Sequence, residues 1–232
     1  NNIVWSTYSN FLSIPTDCPQ RNERLGWSGD ISVFSRTATY LSNVSQFLRR
    51  HLRAMRDVQR EDGRFPDVAP LGGGFGGILW GSAGITVAWE CYQQYNDKAL
   101  LEEHYDAMCE YIDYILSKNI DSQTNVIVQE KVFGNLGDWL GPEDKKNDKR
   151  TDYMARWTRD ERLDIMFKIA TLLDKPSDAA RYKKLYEERL SFFRNTYISS
   201  ENAKTISSGA DGPFKGEEVD IQTSYVLPLV FH

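Results

Sequence analysis

Apolar residues recur at helical spacing along most of the chain. From Ile31 to about Arg60, Phe34, Ala38 and Leu41 share a face, followed by Val44, Phe47, Leu48, Leu52 and Met55. Asn43 predicts a break and so two helices; Glu61-Asp62-Gly63 predicts the end, with Gly63 as C-cap. Trp80 opens a further helix that carries Ile85, Val87, Ala88, Trp89 and Tyr92, with Trp89 read as core. Asn96 or Asp97 caps the next. There Leu101, Tyr105, Met108, Ile112 and Ile115 step by four, three, four and three, which makes one apolar stripe. Glu102, Glu103, Asp106, Glu110 and Asp113 occupy the opposite, solvated face, and Lys118 with Asn119 ends the helix.

Val126 to Val132 leans towards β-structure and reads as a hairpin arm. Thr151 to Leu173 predicts a long helix, which Asp174-Lys175-Pro176 breaks. Ser177 or Asp178 caps a helix with the stripe Tyr182, Leu185, Tyr186, Leu190, Phe193 and Tyr197. The pair forms an α-hairpin. Ser199 to Gly216 reads as loop, and Asp220 to Phe231 as a last helix disturbed by Pro228. The fold class is all-α, with roughly seven helices.

One stretch breaks the helical pattern and concentrates chemistry. Asp17 to Asp30 reads DCPQRNERLGWSGD. Pro15 and Pro19 resist helix, and Gly26 and Gly29 bracket Trp27, so this is a loop. Asp17, Glu23 and Asp30 can converge on a ligand if it folds back on itself, and Trp27 offers a flat apolar face for a sugar ring. That mix suggests glycoside chemistry, in which carboxyl groups do the acid and base work. Plainer readings stay open. Asp30 can be an N-cap, Arg21, Glu23 and Arg24 a surface ion-pair network, Trp27 a core aromatic, and Cys18 a small apolar residue.

Two more loops carry tryptophan. Leu71 to Gly77, LGGGFGG, precedes Trp80; no Lys-Ser/Thr follows it, so it reads as the rim of a site and not as a phosphate cradle. Phe133 to Pro142, FGNLGDWLGP, presents Asp138 and Trp139 together, or else holds a turn aspartate and a packed tryptophan. The run Glu143 to Arg150 is a solvated loop.

The spacing of Asp17, Arg21, Glu23, Arg24, Gly26, Trp27, Gly29 and Asp30 closely resembles the signature of the bacterial α-L-rhamnosidases of glycoside hydrolase family 78. The resemblance implies an (α/α)6 barrel and inverting hydrolysis of terminal α-L-rhamnosides. It implies Glu23 as general acid. Asp17, Arg21 and Asp30 would hold the rhamnose hydroxyls, and Trp27, Trp80, Asp138 and Trp139 would complete the sugar site. Many members carry an Asp two residues after the tryptophan that matches Trp80; here that place is Ser82. The segment Gln222-Thr223-Ser224-Tyr225 also resembles one that opens a barrel helix in the family.

Composition narrows this little. The chain has 232 residues, a formal net charge of -5 and 41% hydrophobic residues, enough for a sizeable core. The mild acidity gives no support for nucleic-acid binding. No apolar run is long enough to span a membrane. Cys18, Cys91 and Cys109 have no CxxC spacing, and His51, His104 and His232 are scattered, so neither a disulfide framework nor a metal centre is implied. The resemblance implies no cofactor, and a rhamnose-containing oligosaccharide or glycoside as the partner. Oligomeric state and compartment stay open.

The helices are fewer than a closed (α/α)6 barrel needs, and the apolar run Val226 to Phe231 predicts that the chain continues. Residues 1–232 are thus expected to be the N-terminal part of a catalytic domain. In the family the general base is a glutamate well after the matched region, and neither Glu217 nor Glu218 fits a family motif. The base is expected outside this chain, and residues 1–232 alone are expected to lack turnover. Two alternatives remain: a related helical-toroid glycosidase for another sugar, and a carbohydrate-binding module without turnover.

Overall fold

The computed structural model describes residues 1–118, 120, 162–206, 216–222 and 224–226. The chain runs α1 (Asn2–Asn10), α2 (Ser28–Leu41), α3 (Ser45–Asp57), α4 (Ile78–Gly81), α5 (Ala83–Tyr95), α6 (Lys98–Lys118), a helical run over 162–172 (α7) and α8 (Pro176–Tyr197). Among the described residues, extended structure is limited to isolated bridges such as Trp27 with Val68. No helix among them is long and apolar enough to cross a membrane.

Helix α5 is the hub. It packs against α2, α3 and α6, and buries Ala83, Ile85, Val87, Ala88 and Cys91. Being apolar on most sides, it can only sit inside. Helix α3 turns Leu48, Leu52 and Met55 onto it, each fully buried and worth about 1.5–3 kcal/mol of transfer free energy. The predicted stripe of α6 is buried over its whole length. Leu163, Met166, Ile169 and Ala170 of α7 and Tyr182 of α8 join the same core. Tyr105 of α6 donates to Asp178 of α8 at 2.8 Å, and Arg181 pairs with Asp113.

The helix ends differ in detail from the sequence reading. The break at Ser42–Val44 comes where Asn43 places it. Gly63 is no C-cap: α3 stops at Asp57, and Gly63 lies in a later turn at φ +90. There Gln59 Nε2 donates to the carbonyls of Gly63 and of Ala107 in α6. Tertiary contact, not helix termination, explains that glycine. Asp97 does cap α6, accepting from Leu100 N–H at 3.1 Å. Ser177 and Asp178 do not cap α8. Pro176 starts it after Lys175, which places both inside the first turn. Glu103 is not simply solvated either. It accepts from Arg49 and Arg53 of α3, and these donors hold its carboxyl down at about 2. The β-leaning segment 126–132, the start of the predicted 151–173 helix and half of the last helix lie outside the described residues.

Candidate active site

Residues 17–27 form an irregular loop that folds back on itself. Asp17 N–H donates to the Leu25 carbonyl at 3.0 Å, and Leu25 N–H returns a bond to Asp17 Oδ1 at 2.9 Å. This closure brings the two ends of the signature together. Carboxylate oxygens of Asp17 and Glu23 and the Cys18 sulfur all lie within 4.8 Å of one another. Glu23 Oε1 accepts from Trp27 Nε1 at 2.9 Å, and Oε2 accepts from the Arg21 guanidinium. The glutamate is therefore half-buried and aimed, with 30% of its side chain exposed.

Asp30 is not an N-cap. Helix α2 begins at Ser28 after Trp27, so Asp30 sits in the first helical turn. That position places an acid at the positive end of the helix dipole. Its carboxyl is nevertheless raised above the ordinary value, first by desolvation and then by the charges of Asp17 and Glu23. Three acids thus share one field. Asp17 shifts the other way: burial opposes it, but N–H groups of Cys18 and Leu25 stabilise the carboxylate and hold it low.

An aromatic wall stands beside the acids. Trp80, from α4, crosses the first turn of α2 at Gly29. A Cβ there would come within 2.7 Å of the indole Nε1, so only glycine admits the ring. Phe75 from the glycine rim completes the wall, with its ring 6.1 Å from Trp27 and 4.9 Å from Trp80. On the α1 side, Asp17 and Asp30 also line a cavity of about 410 Å³ with Phe11, Ile31 and Phe34. The structure brings together Asp17, Arg21, Glu23, Trp27, Asp30 and Trp80. Asp138 and Trp139 lie outside the described residues.

Sequence reasoning missed one residue of the wall and one buried acid behind it. Phe75 was hidden within a glycine run. Asp67 was passed over, although an acid in the otherwise apolar segment Phe65-Pro66-Asp67-Val68-Ala69 is a signal of a buried carboxyl. Asp17, Cys18 and Glu23 could present ligand atoms to a cation. Both oxygens of Glu23 already accept hydrogen bonds, so the triplet is an acidic corner of the loop whose glutamate is committed to Arg21 and Trp27.

The chain has relatives among known proteins. The family profile of the bacterial α-L-rhamnosidase six-hairpin glycosidase domain matches residues 1–232. The chain belongs to that family. An α-L-rhamnosidase of Streptomyces avermitilis is 38% identical over 233 residues, covering 99% of this chain and 20% of the relative. One from Alteromonas sp. is 32% identical, covering 99% of this chain and 24% of the relative.

Solved rhamnosidases share the fold. The Dictyoglumus thermophilum enzyme superposes with a TM-score of 0.82 at 32% identity, over 100% of this chain and 25% of that one. The S. avermitilis enzyme, solved in complex with L-rhamnose, gives a TM-score of 0.79 at 37% identity, over 99% and 20%. The helices described above are therefore those of a six-hairpin, (α/α)6-type rhamnosidase domain. The chain spans a fifth to a quarter of the length of these relatives.

Proposed function

We propose that this chain supplies the N-terminal part of the catalytic domain of an inverting α-L-rhamnosidase. The observation that carries the reading is the meeting of Asp17, Glu23 and Asp30 beside the wall of Trp27, Phe75 and Trp80. The S. avermitilis relative is known with L-rhamnose bound, which supports the same sugar here.

Glu23 is the general acid. In the free site both its oxygens accept, from Trp27 and Arg21. A rhamnose hydroxyl that draws Arg21 away frees Oε2 for a proton, while Trp27 keeps Oε1 in place. That proton passes to the glycosidic oxygen as the bond to C1 breaks. A second carboxyl about 6.5–9.5 Å away takes a proton from the water that attacks the opposite face. This base lies beyond residues 1–232. Asp17, Asp30 and Arg21 hold the sugar hydroxyls, and the indoles and Phe75 cover its apolar face; Asp138 and Trp139, the other two residues assigned to the sugar, lie outside the described residues.

The test is hydrolysis of 4-nitrophenyl α-L-rhamnoside by the natural full-length protein against a panel of other aryl glycosides. The product is followed by NMR from the first minutes. Rhamnose release should dominate the panel, and β-L-rhamnose should appear first. Early α-anomer would overturn inversion, and preference for another glycoside would overturn the substrate. Sugar binding without turnover would leave a binding module.

A further inference from the structure

The segment 64–69 ties together two loops of the site. Beyond the Trp27–Val68 bridge, Ala69 N–H donates to the Gly26 carbonyl at 3.0 Å. Asp67 makes three further links. Its carbonyl accepts from Ser28 N–H at 2.8 Å, at the first residue of α2. Its N–H donates to the Gly73 carbonyl at 3.0 Å. Its Oδ2 accepts from Gly76 N–H at 2.8 Å. One residue therefore holds the end of the signature and both arms of the glycine rim.

The side chain is wholly buried, and Oδ1 has no hydrogen-bond partner among the described residues. Burial pushes the carboxyl up to about 6, against the Gly76 N–H and the Arg64 guanidinium, which draw it down. Burying such a group is costly, so its return must lie in geometry or chemistry. With no exposure to a ligand, Asp67 cannot touch substrate, which leaves geometry.

The rim is pressed against the carboxylate. Gly74 adopts φ +107, and a Cβ on it would fall 2.3 Å from Asp67 Oδ2. Arg64 Nη2 donates to the Gly74 carbonyl at 3.1 Å from the other side. Phe75 sits between these two clamped glycines.

We infer that Asp67 is a positioning residue that fixes the glycine rim, and with it Phe75, against the two indoles of the sugar site. The inference deepens the rhamnosidase reading and rests on it for its kinetic test. Because the rim contacts bound sugar and transition state alike, loosening it weakens binding without slowing chemistry.

In the natural full-length protein, Asp67→Ala should raise KM for 4-nitrophenyl α-L-rhamnoside about tenfold and leave kcat within about twofold. Asp67→Asn keeps an acceptor for Gly76 N–H and should stay within about threefold of the parent KM. Amide hydrogen exchange at 74–77 should quicken in the alanine variant and match the parent in the asparagine one. If Asp67→Ala does not fold, Gly74→Ala carries the test, since its Cβ lifts the rim off an intact carboxylate and should raise KM alike. Unchanged KM with unchanged exchange at 74–77 overturns the inference. So does a fall in kcat at constant KM, which would place Asp67 in the chemistry. A parent that releases no rhamnose sinks the rhamnosidase reading alone, and the exchange at 74–77 then decides the role of Asp67.

Discussion

Glu23→Gln is expected to lower kcat on an alkyl α-L-rhamnoside by about a thousandfold or more, but on the 4-nitrophenyl rhamnoside by only about tenfold. An alkoxide is a poor leaving group and needs its proton in the transition state. Nitrophenolate departs without one. The spread between the two substrates therefore reads the acid role itself and not damage to the pocket. Pocket damage is read separately, from the affinity for L-rhamnose. The glutamine oxygen can still accept from Trp27 or Arg21, but its amide group then faces the other donor. Affinity should accordingly fall by no more than about fivefold. Equal losses on both substrates would take the proton-donor role away from Glu23.

The convergence behind that expectation was partly legible in the sequence. Asp17 and Glu23 come from one loop, and its prolines and glycines announce an irregular path. A short loop can bring its own ends together through bonds such as those between Asp17 and Leu25. The α6 stripe was legible for a similar reason, because helical periodicity is local. What the chain order hid was the arrival of Trp80 over Gly29 and of Phe75 over Trp27, contacts made across about fifty residues of intervening fold. Gly63 shows the same limit from the other side. A glycine after two acids resembles a helix stop, yet its turn is fixed by Gln59 reaching α6. Glu103 looked like one of several solvated acids until α3 laid its arginines against it.

The same helix pair gives the second large effect, a loss of stability in acid. His51 of α3 is 1% exposed and His104 of α6 is 2% exposed. Both nitrogens of His51 and Nε2 of His104 have no hydrogen-bond partner among the described residues. Desolvation pushes each imidazole down to about 4, helped by Arg50 at His51 and by Arg56 at His104, with Glu103 opposing at His104. In the unfolded chain both bind a proton below about 6.5. Between that value and about 4 the unfolded state holds the extra protons, so stability falls as pH drops through this window, by up to about 3 kcal/mol per imidazole.

Asp67 works in the opposite direction. Its raised carboxyl is protonated in the fold before it is in the unfolded chain, so it gains stability as pH falls below about 6. The histidine term is isolated by comparing the parent with a His51→Leu, His104→Leu double variant, in which the Asp67 term is shared and cancels. Native-state hydrogen exchange at α3 and α6 amides, corrected for intrinsic rates, supplies the local free energies. The parent should lose about 6 kcal/mol more than the variant between pH 6.5 and 4 as an upper value. Parallel pH slopes in the two proteins would mean that the imidazoles find partners in the fold and carry no such penalty.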